Sequence, residues 1–220
     1  QKWKQCPFSS GWYCHTLDPQ TGEPRNWGPF KPDDPLIDSN KGKPRKYEHP
    51  AGYETLSILL NVDCATWEAI AHRHRLPIPP LMLRLCDPNP LLHFWKWVWM
   101  HNLPIIICEG AKKAAALLSA GYVAIALPGV WNGRKKRQGD RPEHLIPDLQ
   151  HFATAGRTIL FCFDHDTNLK TRQHVSQALV RTGKLFELAN CTVKVIRLPG
   201  PEKGIDDFIV ARGAESFDQL

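Results

Sequence analysis

The chain lacks any apolar run near the ~18 residues that a membrane-crossing helix needs. Its longest candidates, Leu103–Cys108 and Thr158–Phe163, suit buried strands instead. Gln1–Ser10 is polar with no apolar stretch behind it, so a signal peptide is not expected here. No internal repeat or low-complexity tract is evident, so repeat architectures are not expected. Closely paired cysteines are missing too. The seven cysteines are an odd number, and Cys108, Cys162 and Cys191 fall inside or beside apolar runs. Buried free thiols behave as small hydrophobes, and this usage fits a reducing cytoplasm rather than a disulfide framework. Cys6, Cys14 and His15 are the zinc candidates. Cys6 and Cys14 are too far apart for one knuckle and no second pair follows, so a structural zinc is not expected. The absent initiator methionine and the ragged ending lead us to expect a piece of a longer chain.

What is present describes an ordinary globular protein. The 220 residues are 42% hydrophobic and 23% charged, enough for a sizeable core. The net charge of +6 and the pI of about 9.0 favour an anionic partner, with nucleic acid the commonest. Composition shifts near Asn102. Before it, proline, tryptophan and charge dominate, and we expect an accessory region over 1–100 with long irregular connections. Within it, Tyr53–Leu60 reads as a strand or short helix and Ala65–His74 as a helix. Trp95, Trp97 and Trp99 alternate, which predicts one face of a strand packed on a core, in preference to a platform for stacking bases.

From Pro104 the pattern becomes a clean alternation. We expect strands at Pro104–Cys108, Tyr122–Leu127, Thr158–Phe163 and Cys191–Leu198, and helices at Ala111–Ala120, Glu143–Ala155, Thr171–Ala189 and Ile205–Arg212. Alternation of this kind predicts an α/β fold over 101–220, a four-stranded parallel sheet flanked by helices. In such sheets functional groups gather at the carboxyl ends of the strands. Glu109 follows the first strand, Asp164 and Asp166 the third, and Asp206 and Asp207 the fourth. Clustered carboxylates repel one another unless a cation sits among them, and hard oxygen donors select Mg²⁺ or Mn²⁺. A carboxylate left over can move a proton, and together these groups suit phosphoryl or nucleotidyl transfer. Taken singly, Asp164 reads equally well as a helix cap and Glu109 as a dipole partner; three acidic strand ends in this order do not.

These residues resemble the TOPRIM family, shared by DnaG-type primases, topoisomerases and some nucleases. The marks are Ile105-Ile-Ile-Cys-Glu-Gly110 and Ile159-Leu-Phe-Cys-Phe-Asp-His-Asp166, followed by Leu198-Pro-Gly200 and Gly204-Ile-Asp-Asp207. A closer resemblance is to the TOPRIM-like domain of cyanobacterial plasmid replication proteins, carried by Lys43-Pro-Arg-Lys-Tyr-Glu48, Glu109-Gly-Ala-Lys-Lys-Ala114, Leu127-Pro-Gly-Val130, Phe163-Asp-His-Asp166 and Leu198–Phe208. The resemblance implies that Glu109 is the general acid/base, that Asp164 and Asp166 hold metal, and that Asp206 is a further metal position assisted by Asp207. It also implies single-stranded DNA and nucleotides as partners, and a helicase domain in the same full-length chain. Where DnaG-type primases carry an acid shortly after Glu-Gly, this chain has Lys112 and Lys113.

The basic residues complete the expectation. Lys112, Lys113, Lys203 and the run Arg134-Lys135-Lys136-Arg137 are placed to hold phosphates, with a weaker patch at Lys43, Arg45 and Lys46. Three other readings compete. TOPRIM cores with the same acids also cleave DNA. A non-catalytic DNA-binding module serving a helicase would keep the fold. Asp164-His-Asp-Thr167 also fits the nucleophile motif of haloacid-dehalogenase-type phosphatases, but that motif ends a first strand, and here the Glu109 strand precedes it. Four tyrosines, none poised as a nucleophile, make a topoisomerase the weakest branch.

Overall fold

The computed structural model describes residues 10–39, 42–50, 52–78 and 92–220. The candidate zinc ligand Cys6 lies outside them. At the centre is a four-stranded, all-parallel sheet in the order β10-β9-β5-β6. The inner strands are β5 (Ile105–Glu109) and β9 (Thr158–Phe161), flanked by β6 (Ala124–Leu127) and β10 (Thr192–Val195). The Ile-Ile-Ile-Cys run of β5 and the Ala-Ile-Ala-Leu of β6 are buried along their length, as parallel strands covered on both faces must be. Edge strand β10, Thr-Val-Lys-Val, is mostly exposed. In register, Ile107 lies opposite Phe161, and Glu109 opposite Leu127. The carboxyl ends of β5, β6 and β9 therefore open on one edge of the sheet.

The helices of this half follow the expected alternation. Helix α3 (Ala111–Ser119) crosses from β5 to β6 and α5 (Leu169–Leu188) from β9 to β10, while α6 (Ile205–Arg212) packs against α3 and leads into the short α7 (Ala214–Phe217). Between β6 and β9 the expected long helix is shorter. Strands β7 (Arg134–Lys135) and β8 (His144–Leu145) form a small antiparallel pair, and only Pro147–Phe152 is helical, as α4. Pro147 sets that start, since proline is favoured in the first helical turn.

The tryptophan segment differs from expectation. Phe94–Met100 is helix α2, not a strand, capped by His93 Nδ1, which accepts from the Lys96 amide at 3.2 Å. In a helix Phe94, Trp97 and Val98 share a face at i, i+3 and i+4, and all three are buried. Trp95 is buried as well, its indole N–H donating to the Leu60 carbonyl at 2.9 Å, whereas Trp99 stays half exposed and stacks on His151. Packing, rather than base stacking, thus accounts for Trp95 and Trp97.

Arg157 lies in the core against the end of α2. Its fully buried guanidinium donates to the carbonyls of Val98, Leu103 and Trp99 at 3.3, 2.7 and 3.1 Å, and to Thr154 Oγ1 at 3.0 Å. The Val98 and Trp99 carbonyls also accept from the Leu103 and Asn102 amides, so the guanidinium adds a second donor to each and meets the negative end of the helix dipole. Burial lowers the Arg157 pKa to about 10, still far above neutrality.

The N-terminal residues pack on the same core. Strands β1 (Gly11–Tyr13) and β2 (Phe30–Pro32) pair, as do β3 (Ile37–Asp38) and β4 (Lys43–Pro44), and α1 (Cys64–Arg73) lies in the expected position. Ile58, in the segment expected as a strand or short helix, is extended and exchanges two backbone hydrogen bonds with Ala126, so it extends the sheet beyond β6 by one antiparallel bridge. Asp148, in the first turn of α4, accepts a bidentate pair from Arg25 at 2.8 Å each, and the amide and hydroxyl of Ser57 at 2.9 and 2.8 Å. Among the described residues no helix is long and apolar enough to cross a membrane.

Candidate active site

Glu109 ends β5 and Gly110 turns the chain into α3 with φ of 90°, a left-handed conformation that glycine adopts without strain. One turn along α3, Lys113 reaches back over the sheet edge, its Nζ 3.0 Å from Asp164 Oδ1. Asp164 leaves the end of β9, beside Glu109. Asp206 enters from the first turn of α6. The sheet edge and two helix starts therefore bring Glu109, Lys113, Asp164 and Asp206 together, with Lys203 close enough to act on Glu109.

The electrostatics follow from that crowding. Burial raises the Glu109 pKa and repulsion from Asp164 adds to it, while Lys113 and Lys203 partly offset both. For Lys113, burial works to lower the pKa, but attraction to Asp164, a hydrogen bond with it, and attraction to Asp206 and Glu109 outweigh that and raise it. Burial also holds the thiols beneath the edge protonated, Cys162 up to about 12 and Cys108 well above its usual value.

The loops that hold this geometry were not visible as site residues in the sequence. The His165 amide donates to the Lys203 carbonyl at 2.7 Å, which ties the Asp164 loop to the approach to α6. Arg212 grips that approach from the far end of α6, with bonds of 2.6 Å to the Gly200 carbonyl and 2.8 Å to Glu202. Gly204 leaves room for two side chains. A methyl group there would overlap Asp206 Oδ1 and stand 2.7 Å from Lys113 Cε, so its absence lets both side chains share one space. A signal existed for this in Gly204-Ile-Asp-Asp207, but not for the distant partners.

The other expected residues are placed less centrally. Asp166 Oδ1 accepts from the Asn168 amide at 2.8 Å, and Asn168 in turn caps α5. Asp207 and Lys112 are exposed. The basic run divides. Lys136 and Arg137 are exposed, and Lys135 lies 3.6 Å from Glu54. Arg134 turns inward, paired with Glu143 and over the Trp131 ring. Its inward turn follows from β7, whose pairing with β8 alternates Arg134 and Lys135 across the strand. A groove of about 700 Å³ lies beside the acids, between α5 and the end of β10. Val175, Leu179 and Val195 give it apolar walls, Asp164 and Asp166 line it, and Arg172 and Arg197 add positive charge.

The donor chemistry at the edge fits a hard divalent cation. Its oxygens are carboxylates, and Asp206 Oδ1 is buried without a hydrogen-bond partner. Among the described residues, however, no three acids, histidines or cysteines stand close enough as they are to enclose an ion. Cys14, the remaining described zinc candidate thiol, is buried, and burial raises it to about 11.

Residues 94–216 match the model of the family described as "Domain of unknown function (DUF3854)". The chain belongs to this family. It is 45% identical over 214 residues to an uncharacterized protein of Picosynechococcus sp., a match that covers 94% of the chain and 20% of the relative. The chain thus spans about a fifth of the length of that relative. Among solved structures it is similar to the crystal structure of the Aquifex aeolicus primase, comprising zinc-binding and RNA polymerase domains. The TM-score is 0.51 at 13% identity, covering 94% of this chain and 38% of that one. This DUF3854 chain therefore has a primase-like α/β fold.

Proposed function

We propose that this chain is the TOPRIM-type catalytic domain of a larger plasmid replication protein, a primase-like nucleotidyltransferase that acts on DNA with Mg²⁺ or Mn²⁺. The observation that carries the reading is the convergence of Glu109, Asp164 and Asp206 from three separate elements on the carboxyl edge of a parallel sheet, with Lys113 and Lys203 beside them. Asp164, Asp166 and Asp206 would hold the metal, with Asp207 at hand. When bound, the metal supplies charge neutralisation at the phosphates and polarises the reacting oxygen.

The chain's own residues do the rest. Glu109, half buried and with a raised pKa, accepts the proton of an attacking hydroxyl. Lys203, Lys112 and the exposed cations Lys136 and Arg137 attract phosphate oxygens. The groove beside Asp164 and Asp166 is of the size that holds small ligands, and gives a nucleotide a place next to the acids, with Arg172 and Arg197 to meet its charge. Single-stranded DNA is the template in this reading, and a helicase domain lies elsewhere in the full-length chain.

The test is a single gel. The domain is incubated with labelled single-stranded DNA, nucleotides and Mg²⁺ or Mn²⁺, beside an Asp164→Asn/Asp166→Asn variant. Longer products that vanish in the variant are expected. Shorter products that vanish in the variant replace synthesis with cleavage at the same acids. Unchanged DNA, still bound by both proteins, overturns the catalytic reading in favour of a DNA-binding module.

A further inference from the structure

Lys113, expected from its sequence position to hold a phosphate, is paired with a carboxylate in this structure. Its side chain leaves α3 and crosses the edge into the carboxylates, where Nζ is 3.0 Å from Asp164 Oδ1 and interacts electrostatically with Asp206 and Glu109. Four of the five groups at the heart of the edge are thus three acids and a cation placed among them. An ammonium is a compact charge with three donors, suited to sit between several carboxylates. It occupies the place that a divalent ion among the same oxygens would take. Gly204 gives its stem the necessary room, since a methyl there would stand 2.7 Å from Lys113 Cε.

The present arrangement of the acids agrees with a lysine-sized guest. Magnesium draws oxygens to ~2.0–2.1 Å in near-octahedral geometry, whereas among the described residues no three such groups converge that closely. A divalent ion and an ammonium cannot share the space without strong repulsion. We propose that Lys113 is a tethered counter-ion that fills the cation position of the acidic edge, and that a divalent ion binds only when this ammonium swings out. The inference rests on reading this edge as a metal site. It makes the acids tolerable to one another in the absence of metal, and it weakens metal binding by internal competition. The displaced ammonium, still tethered to α3, is then free to meet a phosphate.

Mn²⁺ binding, read from the electron paramagnetic resonance signal of the free ion, tests this without any turnover. The parent protein is compared with Lys113→Gln, which keeps a polar unbranched stem and loses charge, with Lys113→Ala, and with Lys113→Arg, which keeps charge. The expected result is Mn²⁺ affinity at least tenfold tighter in Lys113→Gln and Lys113→Ala, parent-like in Lys113→Arg, and lost when Asp164→Asn is added to Lys113→Gln. Equal or weaker binding in Lys113→Gln that Asp164→Asn still abolishes overturns the role of Lys113 and leaves the metal site standing. Binding that Asp164→Asn does not touch overturns both, because the ion then lies elsewhere. Undetectable binding in every protein overturns the proposal as well.

Discussion

Glu109 stands at the mouth of a fully buried strand with Asp164 as its neighbour, and both conditions disfavour its charged form. Lys113 and Lys203 act in the opposite sense. In metal-free protein, a carbon-13 titration of the glutamate carboxyls should therefore show Glu109 titrating above the ordinary value of ~4.3. Lys113→Gln should push it higher still, because removing a neighbouring cation makes the carboxylate less favourable. A Glu109 that titrates with the exposed glutamates, or falls on loss of Lys113, contradicts the geometry. If Glu109 must be ionised to accept a proton, activity falls as pH drops through this raised value, so the acid limb lies above that of an ordinary carboxylate. At this scale the sequence was informative about placement and silent about pairing. Glu109, Asp164 and Asp206 were legible because each ends or follows an apolar run. The Lys113–Asp164 contact was not, because it depends on which way one helix turn faces across the sheet edge.

Among the elements, β5, β6, β9 and α6 were readable because apolar runs bounded by turn residues have few other solutions. Helix α2 was not. Phe94–Met100 alternates tryptophans at period two, and its exposed face carries Trp99 and Met100 beside Lys96, so apolar side chains on the solvent side hide the helical period. Its end is closed locally, by the Asn102 and Leu103 amides on the Trp99 and Val98 carbonyls with Asn102 at φ 48°, and the Arg157 guanidinium, from just before β9, adds a distant donor to the same carbonyls. Arg157→Ala removes a fully buried guanidinium that donates to three carbonyls and to Thr154, and is expected to cost about 2–4 kcal/mol of unfolding free energy. Urea unfolding of the pair checks this. A change within about 0.5 kcal/mol would mean that α2 ends without help from that side chain.

For the whole molecule, the sheet is one part of a continuous core that also includes Trp27, Ile58, Trp67 and Trp95. A buried polar tie between the N-terminal residues and the sheet half is the Arg25–Asp148–Ser57 group, with Asp148 almost wholly buried. No local pattern announces such a tie, because its partners are 123 and 91 residues apart. Arg25→Ala strands a buried carboxylate, and about 3–5 kcal/mol of stability should go with it; calorimetric melting measures the loss, and a melting temperature unchanged from the parent would show that the tie is idle. The central claim concerns the edge of the sheet, that Glu109 and Asp164 work as one catalytic set. Its most direct measurement is the rate of phosphodiester chemistry on single-stranded DNA in Glu109→Gln, Asp164→Asn and the double variant. Residues that act as a unit are strongly non-additive, so each single change should lower the rate at least ~10²-fold and the double no further. Single variants that keep the parent rate would contradict the account.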